Sequence, residues 1–151
     1  MAEYVYGPIQ LVQSNTPVLL NTAIPCNKGY LYHREGSGIV TLRGIVNNPS
    51  ACFARYVVEF NGNIAVPTGG TAEAVAVAIT LDGEPIVTSK AIVTPAAVEE
   101  YNNVTSVATI TVPRGCCFNV SVDNVLPGIV ATETGQAINV SNANLNITRV
   151  A

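Results

Sequence analysis

From Val104 to Asp123 apolar and polar side chains alternate almost without a break. Ala108, Ile110 and Val112 fall on one side of the pleat, with Val107, Thr109 and Thr111 on the other. Further on, Phe118, Val120 and Val122 share a side opposite Asn119, Ser121 and Asp123. A period of two is the signature of half-buried strands. Between the two runs lies Val112-Pro-Arg-Gly115, in which proline presets φ for a turn and glycine accepts the left-handed closing conformation. The pattern therefore predicts one antiparallel hairpin in the core of a β-sandwich.

The same reading extends along the chain. Short strands are predicted at Ile9–Gln13, Val18–Leu20, Tyr30–Tyr32 and Ile39–Val46. Phe53–Phe60 follows, with Ala54, Tyr56, Val58 and Phe60 inward. Asn61-Gly62 signals a hairpin, because both residues tolerate positive φ, and a strand at Asn63–Val66 would return from it. Glu73–Leu81 carries Val75, Val77, Ile79 and Leu81 on one face and Ala74, Ala76, Ala78 and Thr80 on the other. The small face is expected to let another layer or subunit approach closely. Asp82-Gly83 is a second hairpin signal, with Glu84–Val93 returning. Thr94–Tyr101 is the only candidate helical turn and reads as a connector. Short strands at Ile129–Ala131, Ala137–Val140 and Asn144–Val150 complete the chain. Many short strands separated by turns specify a sandwich or barrel, here as a single domain over 1–151. Residues 1–8, with Gly7-Pro8, read as a peripheral strand or an N-terminal arm.

Composition narrows the function. Only 11% of the 151 residues are charged, against about 25% in an average soluble protein, while 48% are hydrophobic. Segments 60–72 and 101–113 contain no charge at all. Apolar, poorly charged surface usually becomes interface, so a homo-oligomer is expected. The seven basic residues are scattered singly and form no stripe that would track a nucleic acid. No apolar run is long enough for a membrane-spanning helix, and MAEYVYGPIQ lacks the basic and apolar regions of a secretory signal. Synthesis and folding in a cytoplasm are expected.

No catalytic constellation is visible, and no catalytic, cofactor or metal residue is assigned. His33 is the only histidine; with Glu35 alone beside it, it reads as a surface turn residue and not a general base. Glu99-Glu100 are adjacent on a connector and do not converge on one bond as glycosidase carboxylates must. Gly36-Ser-Gly38 and Gly69-Gly70 match no phosphate loop. Cys26, Cys52, Cys116 and Cys117 lack metal-ligand spacing and read as buried free thiols, with a Cys26–Cys52 disulfide as the alternative. Four glycosylation sequons, at Asn103, Asn119, Asn139 and Asn146, are read as chance matches in an Asn- and Thr-rich strand protein. Asp82 and Asp123 are far apart in sequence and suggest no calcium cluster. Asn139, Asn142, Asn144 and Asn146 read as edge-strand polar residues or, more sharply, as a carbohydrate-binding face.

Several motifs carry a resemblance: Tyr56-Val-Val-Glu-Phe60, Asp82-Gly83, Val112-Pro-Arg-Gly115 and Val140-Ser-Asn-Ala-Asn-Leu-Asn-Ile147. Over about residues 53–150 the chain resembles the jelly-roll domain of the tumour-necrosis-factor and complement type. It is most similar to the bacterial and phage branch: the heads of exosporium collagen-like glycoproteins and the appendage proteins of Firmicute phages. The resemblance implies an all-β antiparallel jelly roll of about ten strands, assembled as a compact homotrimer. The chain lacks the Gly-X-Y stalk of exosporium proteins. The expected role is therefore a non-enzymatic virion protein, a capsid decoration or appendage that contacts other virion proteins. A glycan- or receptor-binding head on a phage, bacterial or spore surface is the alternative.

Overall fold

The computed structural model describes residues 2–24, 31–33, 36–44, 50, 52–115, 117–128 and 135–150. Among them the chain forms β1 (Ala2–Tyr6), β2 (Gln10–Val12), β3 (Thr22–Ile24), β4 (Leu31–His33), β5 (Val40–Arg43), β6 (Phe53–Ala65), β7 (Val75–Leu81), β8 (Glu84–Pro85), β9 (Ala91–Val93), β10 (Asn102–Pro113), β11 (Cys117–Val125) and β12 (Ile138–Arg149). A 3-10 turn over Val87–Ser89 interrupts the return strand expected across Glu84–Val93. The Thr94–Tyr101 connector contains no helix. All pairings are antiparallel. The first sheet runs β10-β6-β12-β1-β3, with β2 also on β12; the second runs β4-β5-β11-β7-β8, with β9 also on β7.

The sheets pack face to face over Tyr4, Leu42, Tyr56, Phe60, Ile79, Leu145 and Ile147, each buried. Burial of apolar area is the main term holding such a sandwich together. Tyr56 also ties the layers by a polar contact: its buried hydroxyl donates to the Arg43 carbonyl at 2.5 Å, from β6 to the strand end of β5.

Val104–Asp123 is not a hairpin. Each half is a strand with its apolar face in the core, but β10 pairs with β6 along its whole length while β11 pairs with β5 and β7. The Pro-Arg-Gly link, with Gly115 at φ +76°, carries the chain from one sheet to the other. A hairpin and a crossover bury the same alternate residues, so the pattern alone does not separate them. The cross-strand partners do: Thr41 Oγ1 donates to Asn119 Oδ1 at 2.8 Å from β5, and Thr80 on β7 meets Ser121.

Asn61-Gly62 is not a turn either. β6 passes straight through it, with Asn61 opposite Thr105, Gly62 opposite Val104 and Asn63 opposite Asn103. Glycine serves packing there: a Cβ would lie 3.0 Å from the Phe60 ring and 3.7 Å from the Ala143 backbone. Asp82-Gly83, by contrast, turns as expected, with φ of 50° and 86° closing β7 onto β8.

The last two predicted strands are one. The inward set shifts from Ile138 and Val140 to Ala143, Leu145 and Ile147 because a bulge between Ser141 and Asn144 changes the phase, with Asn142 at φ 54°. Val18–Leu20 is buried at Val18 and Leu20 but is not a strand; the Gln10 side-chain amide pairs with the Leu19 backbone in both directions. Residues 30, 45–46 and 129–131, parts of other predicted strands, lie outside the described residues.

Ala2–Tyr6 is a strand, and an interior one: β1 lies between β12 and β3, with Tyr4 fully buried. Cys52 and Cys117 are free and exposed, which corrects the expectation of buried thiols. They sit where β6 and β11 begin, beyond the packed part of the sandwich; Cys26 and Cys116 lie outside the described residues. An Ellman titration of the native protein is expected to count at least two reactive thiols per chain without denaturant. A count of zero would contradict this placement.

Candidate functional site

Two surfaces stand out, one on each sheet. On the outer face of the second sheet β11 presents Asn119, Ser121 and Asp123 side by side. Alternation set them opposite the core, yet Ser121 and Asp123 are 6% and 8% exposed. Residues 15–18 run beside β11 past the end of β5: Val18 N–H donates to the Val122 carbonyl at 2.7 Å, and Pro17 bridges to Asp123. The result is a hollow of about 400 Å³ lined by Pro17, Ile39, Asp82, Asn119, Ser121 and Asp123, among others.

A hydroxyl chain crosses its floor. Ser121 Oγ donates to Asp123 Oδ1 at 2.8 Å, which leaves Thr80 Oγ1 to donate to Ser121 Oγ at 2.6 Å. At the rim Asp82 Oδ1 accepts from the Asn119 backbone N–H at 2.8 Å, so the turn is fastened to the neighbouring strand. Burial raises the Asp123 carboxyl above its ordinary value, and the Ser121 hydrogen bond offsets part of that rise.

The folded state thus holds the Asp123 proton more tightly than the unfolded chain does. Its contribution to stability is full in acid and is lost as pH rises through the folded value. Asp123→Asn keeps an oxygen for Ser121 and removes the charge. Its Tm is expected to match the parent near pH 3 and to exceed it at pH 7. A lower Tm at pH 7 would mean that the carboxylate has a compensating partner.

The arrangement accepts and donates hydrogen bonds but contains no imidazole. His33 is on the opposite side of its sheet, buried at 6% exposure against the Tyr4 ring, with centroids 4.7 Å apart. That corrects its reading as a surface turn residue. Its Nε2 meets the Ser37 carbonyl at 2.8 Å, and Nδ1 has no partner among the described residues. Glu35 lies outside the described residues. Glu99 and Glu100 diverge: Glu99 accepts from the Thr68 backbone and hydroxyl, Glu100 from Ala96 N–H. Among the described residues no group of three or more His, Cys, Asp or Glu side chains could hold a metal ion.

The second surface is the outer face of the first sheet. Asn139, Asn144 and Asn146 lie on it, and β12 is an interior strand, not the edge strand expected for them. The amides are laddered across strands. Asn103 Nδ2 donates to Asn63 Oδ1 and Asn63 Nδ2 to Asn142 Oδ1, each at 3.2 Å. Asn146 donates to Asn144 at 2.6 Å, and Asn144 to Glu3 at 2.5 Å. Glu3, Arg55 and Glu59 are charged within this field, while Val107 and Leu11 are half-exposed beside it.

No protein-family model and no curated protein matches the sequence. Solved structures do match its shape. An Eiger TNF from S. frugiperda superposes with a TM-score of 0.67 at 10% identity, covering 100% of this chain and 92% of that one. The globular domain of a zebrafish complement 1qA protein superposes with a TM-score of 0.61 at 11% identity, covering 99% and 97%. The fold is a TNF-like jelly roll. The expected strand count of about ten becomes twelve among the described residues.

The site signal in the sequence was the polar triplet Asn119, Ser121, Asp123. Alternation placed it opposite the core and gave no sign of the groove. Asp82 and Asp123, set aside for their sequence separation, line one hollow because β7 and β11 are neighbours.

Proposed function

We propose that this protein is a non-enzymatic structural component of a bacteriophage virion, a capsid decoration or appendage that assembles as a homotrimer. The observation that carries the reading is the outer face of the first sheet. It is broad and amide-laddered, with half-exposed Leu11 and Val107. Such a face loses little solvation when covered by copies of itself, because its amides already bond one another. Light scattering is expected to give three times the 15.8 kDa chain mass. A stable single-chain mass at micromolar concentration would overturn the trimer. Electron microscopy of the native assembly is expected to show a regular array on a particle. Free soluble protein with no particle association would overturn the virion role.

A second reading, a glycan- or receptor-recognising head on a phage, bacterial or spore surface, is favoured by the polar hollow on the other sheet. Isolated tips instead of an array would select it.

A further inference from the structure

We propose that the outer groove of the second sheet binds a neutral oligosaccharide. The inference rests on the recognition-head reading and not on the trimer, since every group it uses belongs to one chain. The 400 Å³ hollow does not end at Ile39. A second hollow of about 170 Å³, lined by Tyr32, Ser37, Ile39 and Thr41, shares that residue. Tyr32 lies opposite Thr41 in register, and Thr41 opposite Asn119, so the two hollows adjoin at Ile39 on one face, across β4, β5, β11 and the turn after β7. Volumes of this order suit a small ligand, and two adjoining hollows offer room for more than one ring.

The two ends differ in chemistry. At one end Tyr32 is 50% exposed, a flat apolar ring with a polar tip. At the other, Asp82 and Asp123 each have one carboxylate oxygen engaged, by Asn119 and Ser121, and no partner on the other among the described residues. Asp123 is nearly buried with one oxygen engaged by Ser121, so a ligand hydroxyl that displaces water there can donate to the other. An aromatic platform for C–H faces beside acceptors for hydroxyls is what a sugar requires. Two carboxylates with no third acidic, His or Cys ligand among the described residues make a poor cation cage. Among the described residues no basic side chain lines either hollow to hold an anion.

Saturation-transfer NMR on the full chain tests this, with cellopentaose, xylopentaose, maltopentaose and N-acetylchitotetraose as probes. At least one is expected to receive saturation, with a sub-millimolar Kd. Tyr32→Ala, at an exposed site, and Asp123→Asn, which keeps the Ser121 contact, are each expected to weaken it about tenfold or more. Asn144→Ala, on the other sheet, should leave it unchanged. Silence from all four probes, or binding that survives both groove substitutions, overturns the proposal. So does calcium chloride or spermidine alone perturbing the groove residues with no sugar effect. Loss of binding in Asn144→Ala would keep a glycan-binding head and discard this groove. The mass of the same sample is read independently: a trimer that binds no sugar removes the groove alone.

Discussion

A chain lacking residues 1–8 is expected not to fold. β1 pairs with β12 from Ala2 opposite Ile147 to Tyr6 opposite Ala143, and with β3 on its other edge. Its removal strips the backbone partners from the middle of β12 and takes Tyr4 out of the core, where it packs on His33. Loss of one large buried aromatic side chain costs about 3–5 kcal/mol, against a typical total of roughly 5–15 kcal/mol for a domain. The unpaired β12 edge would in addition invite aggregation. Tyr4→Ala gives the graded version: it should lower Tm by roughly 6–20 °C, at about 2–4 °C per kcal/mol for a chain of this size. A truncated protein melting cooperatively within a few degrees of the parent would show that these residues dock as an appendage after all.

Gly38→Ala is expected to be the most damaging single-methyl addition. A Cβ at Gly38 would lie 2.0 Å from the Val18 carbonyl oxygen and 3.3 Å from Pro17 Cβ. The obstacle is backbone, and Val18 is fully buried and bonded to β11, so neither side can yield cheaply. Overpacking commonly costs about 1–3 kcal/mol where side chains can move; here about 3 kcal/mol or more is expected, read from the denaturant midpoint. Gly7→Ala is the control. Nothing lies within 4 Å of its would-be Cβ and its φ is not positive, so stability should be unchanged. Equal effects at both positions would refute the close approach at Gly38.

Alternation located most of the strands, because a sheet with one face in a core imposes a period of two whatever its partner. It did not reveal the partner. β10 and β11 bury the right residues and still belong to different layers. Turn chemistry was a sound guide at Asp82-Gly83, where the chain has room to reverse. It misled at Asn61-Gly62, where β10 and β12 claim both edges of β6 and Phe60 needs the glycine's space. The phase change in β12 was present in the sequence as a shift of the inward set, but it read as two strands and not as one with a bulge. The groove was the least legible part: its residues come from segments far apart along the chain, and Ser121 and Asp123 are covered by residues 15–18, which have no strand pattern of their own.

The amide ladder on the first sheet has one more consequence. Side-chain amides carry no net charge for salt to screen and release no proton between acid and alkali. The bonds among Asn63, Asn103 and Asn142 involve amides alone and would hold in dilute buffer, in molar brine and across a wide swing of acidity. That tolerance is what the proposed virion role would ask of a seam between copies.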